Sequence, residues 1–135
     1  MIKIILIIFA IGNLTLKNEP TPYMHKVFYD AGVPQELWED FLSVAACESD
    51  LQPDASGDHG LAQGLFQIHW GIWGKWGLDN GHIKSDNALD PINNTRLAYA
   101  IGEHYSRPRN NDRWNQWSAK PGWQVCKDKA DNLLY

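Results

Sequence analysis

Leu37, Phe41, Val44 and Ala45 recur at spacings of three and four, which places them on one stripe of an α-helix, and Glu48 continues that stripe. A helix whose apolar face ends on a carboxyl turns that carboxyl toward the core side. The start of the helix is also marked. Pro34 stands near the first turn, where a missing N–H costs little, and Gln35, Glu36, Glu39 and Asp40 put polar or acidic groups into the early turns. At the other end Glu48 meets the negative pole of the helix dipole and apolar neighbours, and both disfavour its ionised form. A carboxyl with a raised pKa is what a general acid at neutral pH requires. For an isolated glutamate near a helix end, a fraying surface turn would be the better reading.

The downstream sequence reverses that preference. Some fifteen residues on, Gly64-Leu65-Phe66-Gln67-Ile68 supplies a short Gly-containing segment to face the carboxyl, an arrangement suited to protonating a sugar leaving group. The run Glu48-Ser49-Asp50-Leu51-Gln52-Pro53-Asp54-Ala55 followed by Gly64-Leu65-Phe66-Gln67-Ile68 resembles the lysozyme-like superfamily, in particular the soluble lytic transglycosylase pattern of Glu-Ser, Asn-Pro-x-Ala and Gly-Leu-Met-Gln-Ile. Ala31-Gly32-Val33-Pro34 upstream is similar to the family's lead-in, and Asp90-Pro91 with Asn93-Asn94 resembles its Asp-Pro-x-x-Asn helix start. Several ordered motifs across roughly residues 22 to 126 make a specific signal where one would be weak. The resemblance implies a mainly α, lysozyme-like α+β fold, a compact helical domain with a substrate cleft. It implies cleavage of the β-1,4 bond between N-acetylmuramic acid and N-acetylglucosamine in peptidoglycan, with Glu48 as the catalytic acid and peptidoglycan glycan strands as the partner.

Two departures bear on mechanism. Chicken-type lysozymes carry a second carboxylate two residues before the Gly of the corresponding segment, where this chain has Ala62. Goose-type lysozymes, which the stretch Gly57 to His69 resembles, carry aspartates at the positions of Asp58 and His69, so one of the two is retained. An inverting hydrolase needs a carboxylate to activate water, with its carboxyl groups roughly 6.5–9.5 Å apart. A lytic transglycosylase needs no catalytic water: one glutamate protonates the glycosidic oxygen and then takes a proton from the muramic 6-hydroxyl. The transglycosylase is therefore preferred and the goose-type-like hydrolase is kept as the alternative. A non-catalytic glycan-binding protein is the alternative from another class. Asp58 is a candidate second catalytic carboxyl, although Ser56-Gly57-Asp58-His59-Gly60 is turn-rich and a local turn role is slightly favoured.

Seven Trp stand against five Tyr and four Phe, and Trp70, Trp73 and Trp76 fall in one short stretch. Sugars present apolar C–H faces to indoles and hydroxyls to polar groups, so Gln67, Trp70 and Trp73 are candidate substrate contacts, with Ser49 and Tyr99 added beside Glu48. Core packing is the preferred role for Trp38, Trp114 and Trp117; residues 106 to 124 read as irregular, and the part punctuated by Trp114, Trp117 and Trp123 resembles the family's terminal Trp-containing helix.

A chain of 135 residues suffices for one domain, and a formal charge of −4 argues against a nucleic-acid partner. The five His are scattered, so no metal and no cofactor are expected. Met1-Ile2-Lys3 before the apolar run Ile4 to Gly12 reads as a signal peptide over 1–12, with an uncleaved short anchor or an N-terminal strand as alternatives. Residues 13–21 read as a linker and 22–135 as the domain, placing the protein outside the cell or in the periplasm and cell envelope. In such a compartment Cys47 and Cys126 would pair, closing a loop of roughly eighty residues; in a reducing cytosol they would be free buried thiols. Asn13-Leu14-Thr15 and Asn93-Asn94-Thr95 match glycosylation sequons that are common by chance.

Overall fold

The computed structural model describes residues 20–106 and 112–134. The expected signal peptide, residues 13–19 of the expected linker, the first sequon and residues 107–111 lie outside them. Pro20 and Thr21, assigned to the linker by sequence, open the first helix, α1 (Pro20–Asp30). Its buried face is Met24, Val27 and Phe28, continued by Ala31 just beyond its end. Gly32 ends it at φ +78, a left-handed conformation without penalty for Gly, while Val33 N–H returns to Phe28 O (3.0 Å).

The helix read from the Leu37 to Glu48 stripe is present. A single 3₁₀ turn (Gln35–Leu37) follows Pro34 and leads into α2 (Trp38–Ser49). Phe41, Leu42, Val44, Ala45 and Ala46 are all buried, so α2 is wrapped by the rest of the domain rather than packed on one side. Phe41 organises the core, meeting Phe28, Phe66 and Trp114 edge-on at centroid distances of 5.9, 5.3 and 4.9 Å. The chain leaves α2 through Asp50 and Leu51, both left-handed (φ 54 and 60).

A small antiparallel sheet follows, in the order β1 (Ser56–Gly57), β2 (Ala62–Gln63), β3 (Ile68–His69). Its register pairs Gly57 with Ala62 and Ala62 with His69. The Trp-rich stretch then forms α3 (Trp70–Asp79), despite glycines at 71, 74 and 77 that weaken helices by roughly 1 kcal/mol each. Close packing accounts for two of them. A Cβ at Gly74 would come within 2.6 Å of the Trp70 indole, and one at Gly77 within 2.6 Å of Leu97.

The long helix α4 (Pro91–Ser106) begins at the helix start marked by Asp90-Pro91, and its Asn93, Asn94, Thr95, Leu97 and Ile101 are buried. Asn93 Nδ2 donates to Ser85 O and Asn87 O (2.9 Å each), so the second sequon is an internal brace rather than a modification site. Residues 112–123 are irregular, as read from the sequence, and only the resemblance to a terminal Trp-containing helix is not met: Trp114, Trp117 and Trp123 lie in this irregular run and α5 (Gln124–Leu134) begins after them, because Pro121-Gly122 interrupts any helix that would include all three. A Cys47–Cys126 disulfide (Cα–Cα 5.2 Å, 79 residues apart) ties α5 to α2. Among the described residues no helix is long and apolar enough to cross a membrane.

Candidate active site

Glu48, on the last turn of α2, is half-buried at the floor of a cavity of about 350 Å³. Gly57, Asp58, Gln67, His69, Ile72, Trp73, Gln116, Trp117 and Ser118 also line it, so the sheet, α3 and the C-terminal turns together enclose the carboxyl. Burial raises the Glu48 pKa above the ordinary carboxylate range; a hydrogen bond from Ala119 N–H to Oε1 (3.4 Å) opposes the rise, and the negative charge of Asp58 adds to it. The sequence argument reached the direction of this shift through burial and the helix pole, without the Asp58 contribution.

The Gly64 to Ile68 segment is held from both sides. Asn94, fully buried, accepts from Phe66 N–H at Oδ1 and donates from Nδ2 to Gln63 O and Ala88 O, all at 3.0 Å. Trp117 Nε1 donates to Phe66 O (2.8 Å). Gln67 is left-handed at φ 47, a cost of order 1–3 kcal/mol for a non-Gly residue, and its Nε2 donates to Ala55 O and Gly64 O (3.1 Å each). A Cβ at Gly57 would lie 2.5 Å from Gln67 Oε1, so a larger residue there would displace the Gln67 amide. Asp58 and His59 are also left-handed (φ 49 and 57), so backbone strain is concentrated around this cavity.

Of the residues singled out by sequence, Glu48, Asp58, Gln67 and Trp73 share the cavity. Ser49, Trp70 and Tyr99 do not, and their placement is corrected. Ser49 is buried and its Oγ donates to Ala45 O (3.0 Å) within its own helix. Trp70 is buried, its Nε1 donating to Asp86 Oδ1 (2.8 Å), because its helical position turns the indole along Gly74. Tyr99 packs 6.3 Å from Phe41 and lines a second, wider cavity of about 750 Å³ with Trp76, His82 and Arg96. Trp117, assigned to the core, is buried yet also lines the Glu48 cavity.

Sequence reasoning missed Ile72, Gln116 and Ser118, and quoted Asn94 only as part of a motif. The motif was the available signal for Asn94; nothing in the polar turn residues 116 and 118 marks them. No group of three or more His, Cys, Asp or Glu among the described residues is arranged to hold a metal ion. The enclosure offers one carboxyl prone to carry a proton, one exposed carboxylate and an aromatic wall, a set able to protonate an oxygen leaving group.

The model of one known family, Transglycosylase SLT domain, matches residues 28–119, a span that includes every residue named above as lining the Glu48 cavity. No curated protein and no solved structure matches the chain.

Proposed function

The chain belongs to the transglycosylase SLT domain family, and from that premise we propose that it cleaves the β-1,4 bond between N-acetylmuramic acid and N-acetylglucosamine as a lytic transglycosylase. One observation supports this reading above the others. The half-buried carboxyl of the cavity, Glu48, is pushed toward its protonated form, while the other carboxyl of its lining, Asp58, is already engaged by His69 (Oδ2 to Nε2, 2.9 Å). A single group then serves both half-reactions. Glu48 gives its proton to the glycosidic oxygen as the C1–O bond breaks, and the departing N-acetylglucosamine leaves as an alcohol. The Glu48 carboxylate next removes the proton of the muramic 6-hydroxyl as that oxygen bonds to C1, which yields the 1,6-anhydro ring and restores the acid.

Asp58 lines the same cavity, and this favours an inverting hydrolase as the second reading. Mass spectrometry of digested peptidoglycan separates the possibilities. 1,6-Anhydro ends are expected, reducing ends would establish the hydrolase, and intact glycan would leave a binding protein. Asp58→Asn adds a second criterion: turnover at the optimum should fall less than tenfold, whereas a water-activating base would lose roughly a hundredfold or more.

Trp73 supplies the glycan wall in this reading. Its indole is held edge-on by Trp76 (5.3 Å) and Tyr105 (5.8 Å), so its orientation is set before any sugar arrives. Trp73→Ala is expected to weaken chitooligosaccharide binding roughly tenfold, about 1.4 kcal/mol, with the pH profile of cleavage unchanged. Unaltered titration curves would remove Trp73 from the substrate path. Export through residues 1–12 and action in the cell envelope complete the proposal, since a Cys47–Cys126 bond persists in oxidising compartments.

A further inference from the structure

Helix α4 lines two cavities with two different faces. Ile101 belongs to the Glu48 cavity, whereas Arg96, Tyr99, Ala100, Glu103 and His104, spaced by three and four along the helix, line the second cavity of about 750 Å³. The end of α3 and the loop after it add Trp76, Gly81 and His82, and Ala31 adds a wall from the end of α1. The cleavage reaction calls on none of these residues.

Arg96 is the charged group of this cavity with an unanswered charge. It is half-buried, and its Nη2 donates to Asp30 O (2.9 Å) at the end of α1, which holds the guanidinium in place. Among the described residues no carboxylate pairs with it: Asp30 Oδ2 meets Lys26 Nζ (2.5 Å), and Glu103 Oε1 meets Arg113 Nη2 (3.1 Å). A guanidinium keeps its charge and carries its donors in a planar fork, so the rest of that fork is left for an acceptor from outside the chain. Trp76 supplies a platform beside it. His82 (4.8 Å) and His104 (5.3 Å) stand against the indole and Trp73 meets it edge-on (5.3 Å), so the ring is fixed before any ligand arrives. The small residues Ala31, Gly81 and Ala100 leave the space between these groups open.

We propose that this cavity is a second ligand site, which takes the carboxylate of a short peptide on the Arg96 fork and lays the aliphatic part of that peptide along Trp76 and Tyr99. Charge balance selects the carboxylate. With Glu103 answered by Arg113, the wall offers the one charge of Arg96, which a carboxylate neutralises and accepts in a bidentate pair, whereas a doubly charged phosphate leaves an excess beside Glu103. Size selects a peptide over a bare acid, since a cavity of about 750 Å³ holds a ligand of many atoms and the aromatic walls have apolar surface to cover. The source of the peptide rests on the reading of the chain as a peptidoglycan-cleaving enzyme: muramic acid carries peptides with free carboxylates on the same polymer that the Glu48 cavity engages. Two weak contacts to one polymer then reinforce each other through effective concentration.

The test is an NMR titration of the intact protein that follows the Arg96 Nε–H and the Trp76 indole N–H, with N-acetyl-trialanine as the probe. The probe should shift both signals saturably, and its C-terminal amide, which lacks the carboxylate, should bind at least roughly tenfold more weakly. Arg96→Gln should cost a similar factor, and Arg96→Lys, a point charge without the fork, a part of it. Arg96→Gln also gives up the bond to Asp30 O, so Ala100→Leu provides a second variant: it fills the cavity, leaves Arg96 in place and should block the probe. A thermal melt of each variant confirms the fold. A muramyl peptide should move the Arg96 signal and chitotriose, a glycan without peptide, should leave it unmoved. The site is overturned if the amide binds as well as the acid, if acetate binds as tightly as the peptide, or if a folded Ala100→Leu binds like the parent. A muramyl peptide without effect, where the tripeptide binds, overturns the wall as its source. A parent that binds the tripeptide and cleaves nothing sinks the functional reading and leaves this site standing; a parent that cleaves, with an Arg96 signal indifferent to the tripeptide, sinks this proposal alone.

Discussion

Glu48→Gln is expected to reduce cleavage by a factor of roughly 10²–10⁴ or more, since the amide is nearly isosteric but cannot supply the proton. The Ala119 N–H that meets Oε1 can still donate to the amide oxygen, so the fold should survive. Stability gives an independent check, and its sign follows from linkage. The folded-state pKa of Glu48 lies above the ordinary glutamate value of 4.5, so between that value and the raised one the native chain binds more protons than the unfolded chain. Stability contributed by the protonated carboxyl is complete at acidic pH and is lost as pH rises through the folded pKa. Above that window the parent buries an ionised group and the Gln variant does not. Glu48→Gln should therefore melt higher than the parent at neutral pH, with the difference shrinking toward pH 4. A variant that keeps activity within about tenfold of the parent, a barrier change of only ~1.4 kcal/mol, would show that another group is the acid. A variant that melts lower at neutral pH would show that Glu48 is not destabilised by its surroundings.

Breaking the Cys47–Cys126 bond is expected to cost about 4 kcal/mol, the chain-entropy value for a closed loop of this length, and to lower the melting temperature by on the order of 15 °C. Cys126 is fully buried among the residues joining α5 to α2, so Cys126→Ala also leaves a small void. The loss should extend to activity. Residues 116–119 supply Gln116, Trp117 and Ser118 to the cavity and the N–H on Glu48, and α5 anchors that arm. Thermal unfolding of Cys126→Ala and of the parent with and without reductant measures the effect. Identical melts, with two titratable thiols in the untreated parent, would mean the two cysteines are not joined.

What the sequence made legible was set by how local the physics is. The α2 stripe and its carboxyl end follow from spacing alone, because helix periodicity is written within a few residues, and the start of α4 was marked by the Asp90-Pro91 motif. The Trp70 to Asp79 helix was hidden by its three glycines, whose justification lies in Trp70 and Leu97 packing against them. Trp70 was assigned to the groove for the same reason: without the helix its facing could not be derived, and the hydrogen bond to Asp86 that turns it inward comes from a loop sixteen residues away. Tyr99 and Ser49 were near Glu48 in one sense and turned away in another, and only the direction of each side chain decides. Gln116 and Ser118 reach the cavity through a chain reversal at no point marked by pattern. Asn94 is the intermediate case, visible as a motif letter but without a role until its three hydrogen bonds to the Gly64 segment are seen.

The contact of Ala119 N–H with Glu48 spans 71 positions of chain, and the Trp117 contact with Phe66 spans 51. Helices α1, α2 and α4 contain their own hydrogen bonds and form from neighbours, whereas in a reduced chain these two contacts close large loops, the slow class of event in folding; the Cys47–Cys126 bond shortens that path, joining the chain one residue from Glu48 and seven from Ala119. A chain with all its helices in place but this closure unmade would be spectroscopically near native and would lack the walls that keep a proton on Glu48. During refolding of the reduced chain the return of activity should therefore lag the return of helical signal, and the lag should shorten when the Cys47–Cys126 bond is kept.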